Sequence, residues 1–455
     1  MSISRRVHLV LLAAGAAASG AAGAACVPGA PRGRAAGAPE VRFGEPVSVT
    51  FWHNQTGANE RALSDAVSRF NLQNGKNILL RSEFQGNAQQ VFQKTIVALQ
   101  AGSPPDAAVA YESMVQEYAR AGAVLDLDAY LTSGASPLSR EGVADLVPAI
   151  LDSARLDGYS RRLLAFPFAR SLAVQYYNED LLAAAGSSGA GALTMDAFRR
   201  QAAAVTRKDA RGRTTVYGQH IRVDASYVDA FILANGGELL SRDLARVRFN
   251  EPPGLEVFET WDAMIKGGQA YSTRSFDYQA DFGTGKVAAL HDTSASRPFI
   301  ATEVVDKAAG KERFRWGIGV LPQKDPAHPV TATFGASAVA FKSTPLRQAA
   351  TWEWLRFFAE REETAEWSIA TGYLPVRRSA AEHAGLKAQW QQSPQAEQAF
   401  RQLEFARPEP NIAAWQGIRD LLQGALAAVI AQRSAPKAAL DDAARRANQL
   451  IQEKK

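Results

Sequence analysis

The stretch Val47-Ser-Val-Thr-Phe-Trp-His53 alternates apolar with polar side chains and is rich in β-branched and aromatic residues, which predicts a half-buried strand. Directly after it, Leu63, Val67 and Phe70 recur at helical spacing across 59–70, and Asn74-Gly75 stops the run. The pattern then repeats. Ile78 to Phe84 predicts a second strand, and Gln89 to Ala101 a second helix with Phe92, Ile96 and Leu99 on one side. Gly102-Ser-Pro-Pro-Asp106 then leads into a third strand over 107–111. Strand, helix, strand, helix, strand is one doubly wound α/β lobe. In such sheets small ligands sit beyond the carboxyl ends of the strands, and His53 and Glu112 fall at those ends.

Toward the C-terminus the alternation continues less regularly. Leu163 to Phe166 and Leu172 to Tyr177 read as two strands split by Pro167. Asn178 caps a helix through Ala185, and Thr194 or Asp196 caps another through Val205. Helices follow over 227–235 and 253–265, each ended by a Gly-Gly pair, and strands return over 287–291 and 332–341. The remainder is helical, over 346–358, 364–371, 415–431 and 438–452. Strand-bearing segments on both sides of a helix-rich middle fit two lobes with the chain crossing between them more than once.

Toward the N-terminus, Arg5 and Arg6 precede an apolar, alanine-rich stretch from Val7 to about Ala18. Gly23, Ala24 and Ala25 then precede Cys26, the single cysteine of the chain. This is the layout of an export signal, and the position of Cys26 predicts lipid attachment there. Ser4-Arg5-Arg6 faintly resembles a twin-arginine export signal. Residues 27–46, rich in Pro, Gly, Ala and Arg without an apolar period, read as a flexible tether. From Val47 on, no apolar run is long enough to span a bilayer.

The formal charge of +5 misleads, because five arginines against two glutamates in residues 1–45 supply +3 and leave +2 for the body. That is too little for nucleic acid, which needs clustered Lys and Arg. Catalytic motifs are also missing. Gly186-Ser-Ser-Gly189 is not a nucleophile elbow, and Gly283-Thr-Gly-Lys286 lacks the leading glycine spacing of a phosphate loop. The six histidines are scattered singly, so neither a metal nor any other cofactor is expected.

Several short motifs occur in a fixed order behind the export signal. Phe51-Trp-His53 and Tyr111-Glu112 close the first and third strands, and Phe166-Pro-Phe168, Ser171 and Gln175-Tyr-Tyr-Asn178 follow. Gly335-Ala-Ser337, Thr371-Gly-Tyr-Leu-Pro375 and a terminal helix carrying Ala447-Asn-Gln-Leu450 complete the set. From Val47 to Gln452 this order resembles the family 1 extracellular solute-binding proteins of ABC importers, above all members that take sn-glycerol-3-phosphate. The resemblance implies an α/β fold of the two-lobed type II periplasmic-binding-protein kind, closing on ligand like a hinge, with a helical C-terminus. It places residues 47–155 plus 287–342 in one lobe and 156–286 plus 343–455 in the other, after the signal (1–26) and tether (27–46). It implies a monomer delivering a small solute to membrane permease subunits and a cytoplasmic ATPase, outside the cytoplasm.

Carried over by position, the family's ligand contacts fall on Glu112, Ser171, Ser294 or Ser296, Gly335 and Tyr373. For Glu112 the chemistry agrees, since a carboxylate at a strand end can accept two hydroxyl hydrogen bonds from a polyol. The chain departs from the pattern at Asn411, where the phosphate-gripping arginine aligns, and at Arg222 and Ala225, where paired tryptophans align. A buried phosphate needs charge-assisted donors, and Arg170, Arg222 and Arg297 are the candidates; Trp415 offers an aromatic platform for an uncharged sugar. The expected ligand is a sugar or polyol derivative. Glycerol-3-phosphate or a glycerophosphodiester is the alternative, and an exported α/β hydrolase the more remote one.

Overall fold

A computed structural model describes residues 37–455 apart from Ala190, Arg274 and Lys455, so the export signal, Cys26 and most of the tether lie outside the described residues. The opening pattern folds as its periodicity dictates. Strand β1 (Val47–His53) buries every second side chain, and helix α1 (Gly57–Gln73) turns Leu63, Val67 and Phe70 inward. Strand β2 (Ile78–Phe84), helix α2 (Ala88–Gln100) and strand β3 (Ala107–Ala110) follow, and β1 pairs in parallel with both β2 and β3. Immediately after β3 the chain enters helix α3 (Glu112–Arg120).

The crossing element is strand β4 (Phe166–Asn178), thirteen residues that are all buried. It is one strand where the sequence pattern predicts two. Pro167 does not break it because the register of its partner shifts at that point, between Ala336 and Ser337. A residue without a backbone N–H is tolerated at such an irregularity.

The second half of the fold contains strand β5 (Thr214–His220), helix α4 (Ala225–Ala234), helix α5 (Pro252–Lys266), strand β6 (Val287–Thr293) and strand β7 (Trp316–Gly319). β5 escapes the sequence pattern because it is half polar and carries Gly218. That glycine is required by packing, since a Cβ there would lie 2.2 Å from the Ala202 carbonyl oxygen. Strand β8 (Thr331–Ala340) then runs back, followed by helices α6 (Pro345–Phe358) and α7 (Arg361–Thr371), strand β9 (Ala406–Pro408), and helices α8 (Trp415–Ile430) and α9 (Pro436–Glu453).

These nine strands join one mixed sheet in the order β2-β1-β3-β8-β4-β6-β5, with β7 on β4 and β9 on β8, and two further two-residue strands pair with β5. β4 and β8 are the joint. β4 pairs with β8 through its first half and with β6 and β7 through its second, while β8 passes from β9 to β4 to β3. Two large cores result. One centres on β1, β3, α1, α6 and the first half of β4 and extends along β4 to Leu290 and Trp316; the other is built by α4, α5, α8 and α9.

Two segments sit at the crossing between the boundaries drawn on sequence. Val287–Thr293, expected with residues 47–155, is β6 and pairs with β4 and β5. Pro345–Phe358, expected with 156–286, packs on β1, with Trp354 edge-on to Phe70 at 5.5 Å. Among the described residues no helix is long and apolar enough to cross a membrane.

Candidate ligand-binding cleft

Beyond the C-terminal end of β3, a cleft of about 280 Å³ opens between the α2 and α3 starts on one side and the α4 and α8 starts on the other. That is close to the lower end of the size range of small-molecule pockets, roughly 300–1,000 Å³. β4 and β8 cross its floor with Arg170, Thr333, Phe334 and Gly335. Four helix N-termini, two of them capped by Asn87 and Asp224, meet at one opening, and their dipoles suit a ligand rich in oxygen.

The floor is held by Arg170. Its side chain is 1% exposed, and its Nη1 donates to Glu112 Oε1 at 2.6 Å and to the Gly335 carbonyl at 2.7 Å. Ser337 Oγ donates to the same Glu112 oxygen at 3.0 Å. Among the described residues nothing donates to Glu112 Oε2, which leaves one carboxylate oxygen free to accept. Glu112 is the first residue of α3, where the helix dipole favours a negative charge. Gly335 must be glycine, because its φ is +125° and a Cβ would lie 2.1 Å from the Ala169 carbonyl oxygen. Its absent side chain thus lets β8 approach β4 and puts its carbonyl on Arg170.

The opposite wall carries a second cation, Arg419 on α8. Nη1 donates to Glu409 Oε2 at 2.5 Å and Nη2 to Ser226 Oγ at 2.8 Å, with Asp224 and Asp229 each 3.8 Å away. Burial works against its charge, but Glu409, Asp229 and Asp224 outweigh burial and raise its proton affinity. Gln416 accepts from Ser113 across the cleft at 3.1 Å.

Of the residues singled out on sequence, Glu112, Arg170, Gly335 and Trp415 line this cleft. Trp415 is only 2% exposed, so it meets the cleft by an edge while its body packs in the second core. The others stand elsewhere. His53 is buried against Phe51 and Phe84, its Nδ1 accepts from the Gln55 amide, and burial lowers its pKa. Ser171 donates to the Phe334 carbonyl, and Ser294 accepts from the Leu172 amide, so both hydroxyls are used in strand crossings. Ser296 is buried in the turn after β6. Tyr373 lies parallel to Trp367 at 5.9 Å.

Asn411 is buried and donates to the Ser153 and Arg155 carbonyls while accepting from Gln116, so it staples its loop to the first half of the fold and does not face the cleft. Arg297 borders a small, separate crevice. Arg222 borders a second hollow of about 630 Å³, where its Nη1 is committed to buried Asp292.

Arg419, which sequence reading missed, is thus the second guanidinium lining the cleft. A signal was available. Arg419 adjoins the buried positions Trp415, Ile418 and Leu422, and its partner Glu409 lies close by in sequence.

Comparison with known proteins agrees with this architecture. A family model described as bacterial extracellular solute-binding protein matches residues 65–398. The sn-glycerol-3-phosphate-binding periplasmic protein UgpB of Shigella dysenteriae is 24% identical over 423 residues, covering 89% of this chain and 92% of that one. Among solved structures, the sugar-binding protein MalE from Xanthomonas citri superposes with a TM-score of 0.76 at 21% identity, covering 89% of this chain and 98% of that one. UgpB from Mycobacterium tuberculosis in complex with glycerophosphocholine gives 0.74 at 20% identity, with 90% and 99% covered. With its two-lobed α/β fold and a cleft at the strand crossing, the chain belongs to the bacterial extracellular solute-binding proteins.

Proposed function

We propose that this protein captures an uncharged sugar or polyol derivative in the cleft and delivers it, as a monomer and without chemical change, to an ABC permease. The observation that carries the ligand class is the charge balance of the walls. Each cleft guanidinium is already matched by a carboxylate, Arg170 by Glu112 and Arg419 by Glu409. A dianion entering such a site must displace a carboxylate from its arginine, whereas a hydroxyl needs only the free Glu112 oxygen and the Ser226 hydroxyl. Relatives divide along this line, one named for a sugar and others for glycerol phosphates. Closure of the two sides around ligand follows, because only contacts made better in the closed state shift that equilibrium.

A thermal-shift and calorimetric panel of saccharides, polyols, glycerol-3-phosphate and glycerophosphocholine tests this. A neutral polyhydroxylated compound should raise the melting temperature, since a ligand confined to the native state stabilises it. Glu112→Gln should then weaken that ligand by about 1.5–3 kcal/mol, the worth of a hydrogen bond to a charged group. Micromolar or tighter binding of glycerol-3-phosphate would mean that Arg419 gives up Glu409 for phosphate, and the neutral-ligand reading would fall.

Lipid attachment through Cys26 fits the same role by holding the binder at the membrane. The full chain should fractionate with membranes and Cys26→Ser should fractionate with soluble protein. Identical fractionation of the two would remove the anchor.

A further inference from the structure

Behind the Arg419 wall lies a buried carboxyl group whose oxygens accept no hydrogen bond among the described residues. Helix α4 buries all ten of its residues, and Asp229 is its only charged side chain. Asp229 is 0% exposed, and neither carboxyl oxygen has a hydrogen-bond partner among the described residues. A third orphan stands beside it. Glu409 uses Oε2 on Arg419, but its Oε1 is buried and equally without a partner. Both carboxyl groups meet the same nitrogen, Arg419 Nη1, at 2.5 Å for Glu409 and 3.8 Å for Asp229.

If both were ionised, one guanidinium would face three carboxylates, counting Asp224, and buried carboxylate oxygens would lack any donor. Buried charge without a partner is among the costliest arrangements in a fold. One proton answers both difficulties, because a protonated Asp229 is neutral and can donate to Glu409 Oε1. We propose that Asp229 holds a proton shared with Glu409 and is thereby the positioning residue that keeps Arg419 on the cleft wall, opposed by one full buried carboxylate and not two.

The remaining neighbours do not offer another solution. Strand β8, packed on α4, has no ionisable side chain. On β4, Arg170 is committed to Glu112. On α5, Glu256 accepts from Asn235, Asp262 pairs with Lys266, and Glu259 is exposed. Asp224 caps α4 by accepting from the Ser226 amide and is partly exposed, and the Tyr111 hydroxyl belongs to the same neighbourhood. Burial first, and then the charge of Glu409, hold the Asp229 carboxyl well above the ordinary aspartate range, against the pull of Arg419.

The inference uses the reading of the cleft as a ligand site only for its consequence, and its test needs no ligand. Infrared difference spectra of the full chain should show a protonated-carboxyl C=O band at pH 7 that shifts with ¹³C-labelled aspartate and is absent in Asp229→Asn. The sign of the stability effect is also fixed. A carboxyl whose folded pKa is raised favours the fold below its unfolded pKa, and that contribution is lost as pH rises through the folded value. Between pH 5 and 9 the melting temperature of wild type should therefore fall relative to Asp229→Asn, whose amide can still donate to Glu409. A missing band, a band insensitive to aspartate labelling, or parallel pH profiles in the two proteins would overturn the proposal. If Asp229→Asn does not fold, the labelled wild-type band decides alone. Failure of every saccharide to bind would leave these readouts unchanged and would count only against the ligand assignment.

Discussion

Replacing Arg170 with alanine should lower the unfolding free energy by about 3 kcal/mol, read as a shift of the urea midpoint at constant slope. Arg170 is one of the largest fully buried side chains of the protein and joins three parts of it. Its guanidinium holds Glu112 at the start of α3 and the Gly335 carbonyl on β8, and its backbone carbonyl accepts from the Leu374 amide in the turn after α7. Truncation leaves Glu112, whose side chain is only 17% exposed, without its cation. Removing one member of a largely buried pair costs more than the pair itself is worth, because the surviving charge is stranded. The partner variant separates the two contributions. Adding Glu112→Gln to Arg170→Ala should recover part of the lost stability, since no charge is then left unpaired. Strictly additive losses in that cycle would show that Arg170 acts through its packing and the Gly335 carbonyl, not through Glu112.

The first half of the fold was readable because each segment obeys one period. β1 alternates strictly, α1 and α2 carry apolar stripes, and Gly and Pro mark the turns between them. Legibility fails where tertiary context overrides the local signal. Pro167 reads as a strand break, yet β4 continues through it because β8 shifts register opposite. Gly218 and its polar neighbours weaken the pattern of β5, although helix 195–205 needs a glycine there for close approach. In the cleft, Glu112 stands out at a strand end, but its pairing with Arg170 joins residues far apart in sequence, and no periodicity reports such a contact.

Arg419 was hidden for a related reason. An arginine on an amphipathic helix reads as a solvated face until Glu409 and Ser226 are brought against it. Asp229 also went unremarked on sequence, although a signal was available. A lone acid within Ala225-Ser-Tyr-Val-Asp-Ala-Phe-Ile-Leu-Ala234 is out of keeping with an otherwise buried helix, and such a residue is a marker of function or of an unusual protonation state.

Arg222→Ala is expected to destabilise the fold by roughly 3–5 kcal/mol while leaving ligand affinity in the cleft unchanged. Sequence reading nominated Arg222 as a pocket cation, but its surroundings give it a different task. Asp292, at the end of β6, is 0% exposed and accepts from Tyr227 at 2.8 Å, Tyr278 at 2.7 Å and the Thr293 amide at 2.7 Å. Those donors are neutral, and Arg222 Nη1 at 2.5 Å is its only cationic partner among the described residues. The guanidinium itself lies 5.1–5.8 Å from the ring centres of Phe276, Tyr227 and Tyr278, so it is also held by cation–π contact. Removing it strands a fully buried carboxylate and empties the centre of an aromatic cage. With Arg222 in place, two buried histidines nearby stay neutral, since burial drives His291 down to about 4 and His220 to about 3. Chemical denaturation measures the stability loss, and calorimetry with the ligand found by the panel measures affinity. A fall in affinity without a fall in stability would return Arg222 to the role of ligand cation and move the binding site to include the second hollow.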